Sequence, residues 1–180
     1  MTSQTDIRTD AALAQLPQIH APRNPGMALD LDWVAQVQAN TSAIERRAAT
    51  LPGRRSVKKA YQAAWLLRAI TLIDLTTLSG DDTWGRVRRL CAKAKQPVRQ
   101  DLLDALGMGP IHVGAVCVYH DMVETAVAAL DGSGIPVAAV STGFPAGLSP
   151  LPLRIAEIEA SVAAGAREID IVISRRHVLT

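Results

Sequence analysis

Apolar positions in this chain recur first at helical spacing and later at strand spacing. Residues 1–29 are polar and proline-containing, which predicts a flexible leader. From Asp30, with Asp30 or Asp32 as cap, Leu31, Val34 and Val37 fall three apart and predict a helix, which LPGRR at 51–55 interrupts. Val57, Tyr61, Ala64, Trp65, Arg68 and Leu72 then recur at three and four, so a helix over 55–72 has one apolar face. After cap-type residues, Trp84, Val87, Leu90, Cys91 and Ala94 form another helical stripe, with cations late where the helix dipole favours them. A short helix, DLLDALG, follows, with Gly107 as its C-terminal cap.

The pattern then changes. HVGAVCVYH is short, β-branched and apolar, and it leads into a helical stretch, DMVETAVAALDGSG. PVAAVSTG repeats the strand pattern, FPAGLSP is a loop, LPLRIAEIEASVAAGA a helix, and EIDIVIS a third strand. Short strands alternating with helices of this length predict crossovers and a parallel sheet, so the class is α/β behind a helical N-terminal portion. The domain organisation that follows is a leader over 1–29, a helical extension and domain start over 30–110, and three strand-helix units over 111–180.

The third strand carries a polar side. Ile169, Ile171 and Ile173 point one way and pack under helices, while Glu168, Asp170, Val172 and Ser174 point the other. A parallel sheet covered on both faces favours continuous apolar runs, so an acid at 170 is out of place unless that face lines a barrel interior near its C-terminal rim. From pattern alone, a structural acid held by backbone or arginine donors and a catalytic acid fit Asp170 equally well. Asp74, after a helix and before polar residues, reads as a turn or capping residue. Cys117, in an apolar strand, reads as a small buried hydrophobe rather than a reactive thiol.

Composition narrows the function. At 180 residues, with 48% hydrophobic and 20% charged residues, the chain can form one domain with a core. A net charge of +2 and 3% aromatic content disfavour nucleic acid as a partner. No stretch approaches the ~20 apolar residues of a membrane span, and no apolar run follows a positive start as in a secretory signal. Cys91 and Cys117 show no disulfide or zinc spacing, so a reducing cytoplasm is the expected location. His20, His112, His120 and His177 lack metal-ligand spacing, and neither STG nor GFPAG makes a phosphate-cradling or dinucleotide loop.

Four stretches carry a resemblance: TLIDLTTLSGDDT (71–83), VGAVCVYHDMV (113–123), VAAVSTGFPAG (137–147) and GAREIDIVIS (165–174). In this order they resemble the first half of deoxyribose-phosphate aldolase, and GRRSVKKAYQAAWLLRAIT resembles the N-terminal extension of that family's longer members. The resemblance implies a (β/α)8 barrel that reversibly cleaves 2-deoxy-D-ribose 5-phosphate to glyceraldehyde 3-phosphate and acetaldehyde through a lysine Schiff base, with no cofactor and no metal. It implies that Asp170 and Asp74 serve a proton relay and that Cys117 lines the substrate pocket. After VCVY the family commonly has proline, and His120 stands there instead, a departure that bears on the local turn and not on the chemistry.

The resemblance also implies incompleteness. A Schiff-base lysine belongs on a strand, in surroundings that lower its pKa from ~10.4. Lys58, Lys59, Lys93 and Lys95 all fall on predicted exposed helix faces. The expectation is therefore the N-terminal portion of the barrel, about three parallel strands, inactive by itself and poorly soluble because its sheet edges are unpaired. The competing reading is a non-catalytic half-barrel that binds a sugar phosphate or assembles with a complementary chain. Homo-oligomers are expected of the complete protein.

Overall fold

The computed structural model describes residues 27–28, 30–54 and 57–179. Nearly all of the expected leader lies outside these residues. The chain divides into two compact units, residues 1–59 and 60–180.

In the first unit, Asp30 caps helix α1 (Leu31–Gln36) by accepting a hydrogen bond from the Trp33 backbone N–H. Asn40 accepts in the same way from the Ala43 amide at the start of α2 (Thr41–Arg54). The break expected at 51–55 does not occur at Leu51: α2 runs through Pro52 and ends at Arg54. Proline lacks the N–H that would bond the carbonyl four residues back and crowds that carbonyl, and the helix ends two residues after it. Neither helix buries a side chain.

In the second unit, α3 (Lys59–Ile70) leads to a parallel sheet of four strands in sequential order. These are β1 (Asp74–Thr76), β2 (Ala115–Tyr119), β3 (Val137–Ser141) and β4 (Glu168–Ile171). Helices α4 (Trp84–Lys95) and α5 (Gln100–Ala105) link β1 to β2; a 3-10 turn (His120–Met122) and α6 (Val123–Ala129) link β2 to β3. Helix α7 (Leu151–Ala163) links β3 to β4, and a short helix α8 (Arg175–Leu179) follows.

The strand count corrects the expectation of about three. Asp74–Thr76 has too few residues and too polar a composition to show as a run; it becomes a strand by pairing in register with Ala115, Val116 and Cys117. Strand β4 ends at Ile171, short of Ser174, and α8 was not foreseen. His120 does not disturb its turn, since the 3-10 segment opens on it.

One face of the sheet is covered. Val116, Val118, Val137 and Ala139 pack with Val87, Cys91 and Ala94 of α4 and with Val123 and Ala126 of α6. The α4 stripe expected from sequence supplies this contact, apart from Trp84, which is exposed. Most of the apolar face expected on α3 (Tyr61, Trp65) and beyond it (Leu72) is exposed, as are Ile171 and Ile173; only Ile169 of the three isoleucines packs on the core.

Candidate active site

Strand alternation and register bring the remaining chemistry to the other face. Neighbouring residues in a parallel register share a face. Cys117 stands beside Thr76 and Ala138, Ala138 beside Glu168, Tyr119 beside Val140, Val140 beside Asp170, and Asp74 beside Ala115. A small cluster of Cys117, Ala138 and Val140, flanked by Leu78, Tyr119 and Phe144, separates this face from the main core. The three residues singled out by sequence, Asp74, Cys117 and Asp170, thus share one face. Thr76 joins them without having been singled out, because its place depends on a strand that the pattern did not reveal.

Cys117 is 3% exposed, and its surroundings push the thiol up to about 11. Burial is the largest cause, followed by the Asp170 and Asp74 carboxylates; Thr76 opposes them and Glu168 adds to them. A thiol so placed stays protonated at neutral pH and is a poor nucleophile, and it is buried as a small hydrophobe in an apolar strand would be. Asp170 and Asp74 themselves are exposed. An acid buried in a barrel interior was expected at 170; the Asp170 side chain is instead exposed.

The loops after the strands are tied by polar bonds. Thr142 adopts φ +63°, unusual for a β-branched residue, and its hydroxyl donates to the Val172 carbonyl at 3.1 Å while accepting from the Val172 N–H at 2.7 Å. Those two bonds offset the strain and join the loop after β3 to the segment after β4. Gly143 follows at φ +76°, where a Cβ would lie 2.7 Å from Ser149 Oγ, and its amide donates to Glu157 of α7 at 2.8 Å. Gly147, at φ +67°, donates to the Gly143 carbonyl at 2.8 Å, and a Cβ there would lie 3.0 Å from Val172. Ser174 donates to the Gly147 carbonyl at 3.1 Å and accepts from Arg154 at 2.8 Å. The GFPAG glycines therefore close a tight turn whose Phe144 packs edge-on against Tyr119, ring centroids 5.8 Å apart.

The loop after β1 has its own lock. The Asp82 carboxylate accepts from the Thr77 hydroxyl at 2.9 and 3.0 Å, the Ser79 amide at 3.1 Å and Arg86 at 3.1 Å. Burial pushes this carboxyl up, but the Thr77, Ser79 and Arg86 donors together hold it below the usual carboxylate value.

None of the four strands carries a lysine. Lys58 precedes α3 and Lys59 begins it, Lys93 and Lys95 lie late in α4, and all four are exposed. Lys95 donates to the Ala129 carbonyl at 3.0 Å, at the end of α6. Among the described residues, no group of three or more His, Cys, Asp or Glu side chains is placed to hold a metal ion, and no helix is long and apolar enough to cross a membrane.

No protein-family model matches the chain. Among curated proteins, the deoxyribose-phosphate aldolase of Mus musculus is 57% identical over 159 residues, covering 86% of this chain and 50% of the mouse protein. That of Homo sapiens is 55% identical over 161 residues, covering 87% of this chain and 51% of its own length. A provisionally named deoxyribose-phosphate aldolase structure from Coccidioides immitis superposes with a TM-score of 0.52 at 24% identity, covering 84% of this chain and 51% of that one, which supports the fold alone. The chain spans about half the length of the curated relatives it matches, and over most of its own length it is a homologue of deoxyribose-phosphate aldolase.

Proposed function

We propose that this chain carries the proton-relay face of a deoxyribose-phosphate aldolase, which reversibly splits 2-deoxy-D-ribose 5-phosphate into glyceraldehyde 3-phosphate and acetaldehyde. The observation that carries the reading is the gathering of the Asp170 and Asp74 carboxylates about Cys117 on one face of a parallel sheet. In a Schiff-base mechanism, an amine condenses with the substrate carbonyl and a nearby acid moves protons on and off the adduct. Asp170 is the principal relay acid, Asp74 the second, and Cys117 forms part of the pocket wall. The four lysines, exposed and outside the strands, are surface charges, so these 180 residues supply the relay and not the amine.

The test combines the chain with the half of the mouse relative that it does not match. Release of glyceraldehyde 3-phosphate is expected from the mixture and from neither part alone. Borohydride reduction of this chain with acetaldehyde is expected to leave Lys58, Lys59, Lys93 and Lys95 unmodified, and a stable adduct on any of them overturns the assignment.

The exposed Ile171 and Ile173, on and just beyond an edge strand that pairs only with β3, favour a second reading in which the chain assembles with a complementary polypeptide and catalyses nothing. A mixture that forms a complex without turnover would select it.

A further inference from the structure

We propose that Glu157 is the positioning residue of the rim of this site: its carboxylate clamps the 143–147 loop to the end of β2 and so holds Phe144 as a cover beside Cys117. Strand β3 ends at Ser141, and the left-handed backbone at Thr142 and Gly143 turns the chain off the ladder. The Gly143 N–H therefore has no strand partner, and an amide in a partly buried position requires one. Glu157, reaching from α7 with its side chain 21% exposed, accepts that bond through Oε2 at 2.8 Å. Its other oxygen, Oε1, lies 3.6 Å from Nδ1 of His120, the residue directly after β2.

One carboxylate thus accepts a hydrogen bond from the loop after β3 and stands within ion-pair distance of the residue after β2. Phe144 follows Gly143, stacks edge-on against Tyr119 at the end of β2, and packs against the cluster of Cys117, Ala138 and Val140. Fixing the Gly143 amide fixes where this ring sits. The proposal rests on the aldolase reading of the face and deepens it, but its test reads thiol access and not turnover, so the two can fail separately.

The test is alkylation of the 180-residue chain by iodoacetamide at a single pH, with peptide mass mapping to follow Cys117 and Cys91 separately. Cys91 is fully buried under the other face and reports global opening. Glu157→Ala is expected to raise the Cys117 rate about tenfold, the change in a local opening equilibrium when one charge-assisted hydrogen bond is lost, with Cys91 unchanged. Glu157→Gln, whose amide oxygen still accepts from Gly143, is expected to restore the slow rate. An unchanged ratio of the two rates in Glu157→Ala, or a parallel rise of both, overturns the proposal. If Glu157→Ala does not fold, hydrogen exchange of the Gly143 amide in the unaltered chain decides: protection is expected, and exchange at the free-peptide rate overturns the clamp.

Discussion

The two faces of the sheet are built from the same strands and obey different rules. On the covered face, Val116, Val118 and Ala139 are fully buried beneath α4 and α6, and the alternate positions are apolar apart from the buried Ser141 at the end of β3. On the other face, the alternate positions hold the carboxylates of Asp74, Glu168 and Asp170, the Cys117 thiol, the hydroxyls of Thr76 and Tyr119, two alanines and Val140. Parallel strands ordinarily read apolar on both sides, so the polar face is the departure on which the proposed relay rests, while the other face stabilises. Substitutions on the two faces are therefore expected to fail in different ways.

The largest effect is expected from Asp170→Asn in the chain combined with the half of the mouse relative that it does not match. Loss of a general acid-base group lowers turnover by about 100-fold or more, while the melting temperature of the 180-residue chain should hardly move, because Asp170 is exposed. Turnover that survives undiminished would remove the functional meaning of this face. Val118→Ala on the opposite face should do the reverse. It opens a cavity in the packed core and is expected to cost about 2–3 kcal/mol in urea unfolding, with the chemistry of the reconstituted protein unchanged apart from its stability.

Somewhat smaller is the effect expected at the rim that joins the two faces. Thr142→Val keeps the shape of the side chain and removes the hydroxyl, leaving the Val172 N–H and carbonyl without their partner at an already strained φ. A loss of about 2 kcal/mol is expected in the same unfolding measurement. No loss would mean that the hydroxyl does not offset the strain at that position.

The covered face was legible in the sequence because packing acts through residue type. β-branched apolar runs revealed β2, β3 and β4, and the spacing of Val87, Cys91 and Ala94 revealed the helix stripe that meets them. Asp170 could also be placed on the side opposite the isoleucines by alternation alone. Its company could not. The approach of Asp74 to Cys117 depends on the register of β1, a strand of three residues with no apolar run, which exists only because β2 lies beside it. Glu157 and Thr142 were missed for a related reason: each bonds a segment 14 to 30 residues away, and no local pattern encodes such a partner. The resemblance to deoxyribose-phosphate aldolase supplied Asp74 where periodicity had offered only a turn.

The last expected effect is nil at neutral pH and distinguishes the two buried cysteines, one on each side of the sheet. Burial raises the Cys91 thiol, and Lys95 opposes it; burial also raises Cys117, to about 11, with Asp170, Asp74 and Glu168 adding to the rise. An unfolded chain releases the Cys117 proton near the ordinary value of 9.0, whereas the folded chain holds it to about 11. Between those values the native state binds more protons than the unfolded one, so stability falls as pH rises from about 9 to about 11. Cys117→Ala keeps Cys91 and lacks this contribution, so urea midpoints of the two proteins should separate progressively across that window. Because carboxylates supply part of the Cys117 shift, Asp170→Asn should reduce the separation, and salt should reduce it further by screening the exposed acids. Midpoints that stay parallel for the unaltered chain and Cys117→Ala would mean that the thiol is not shifted upward, and a separation that Asp170→Asn leaves unchanged would mean that burial alone shifts it and the acids of this face do not bear on Cys117.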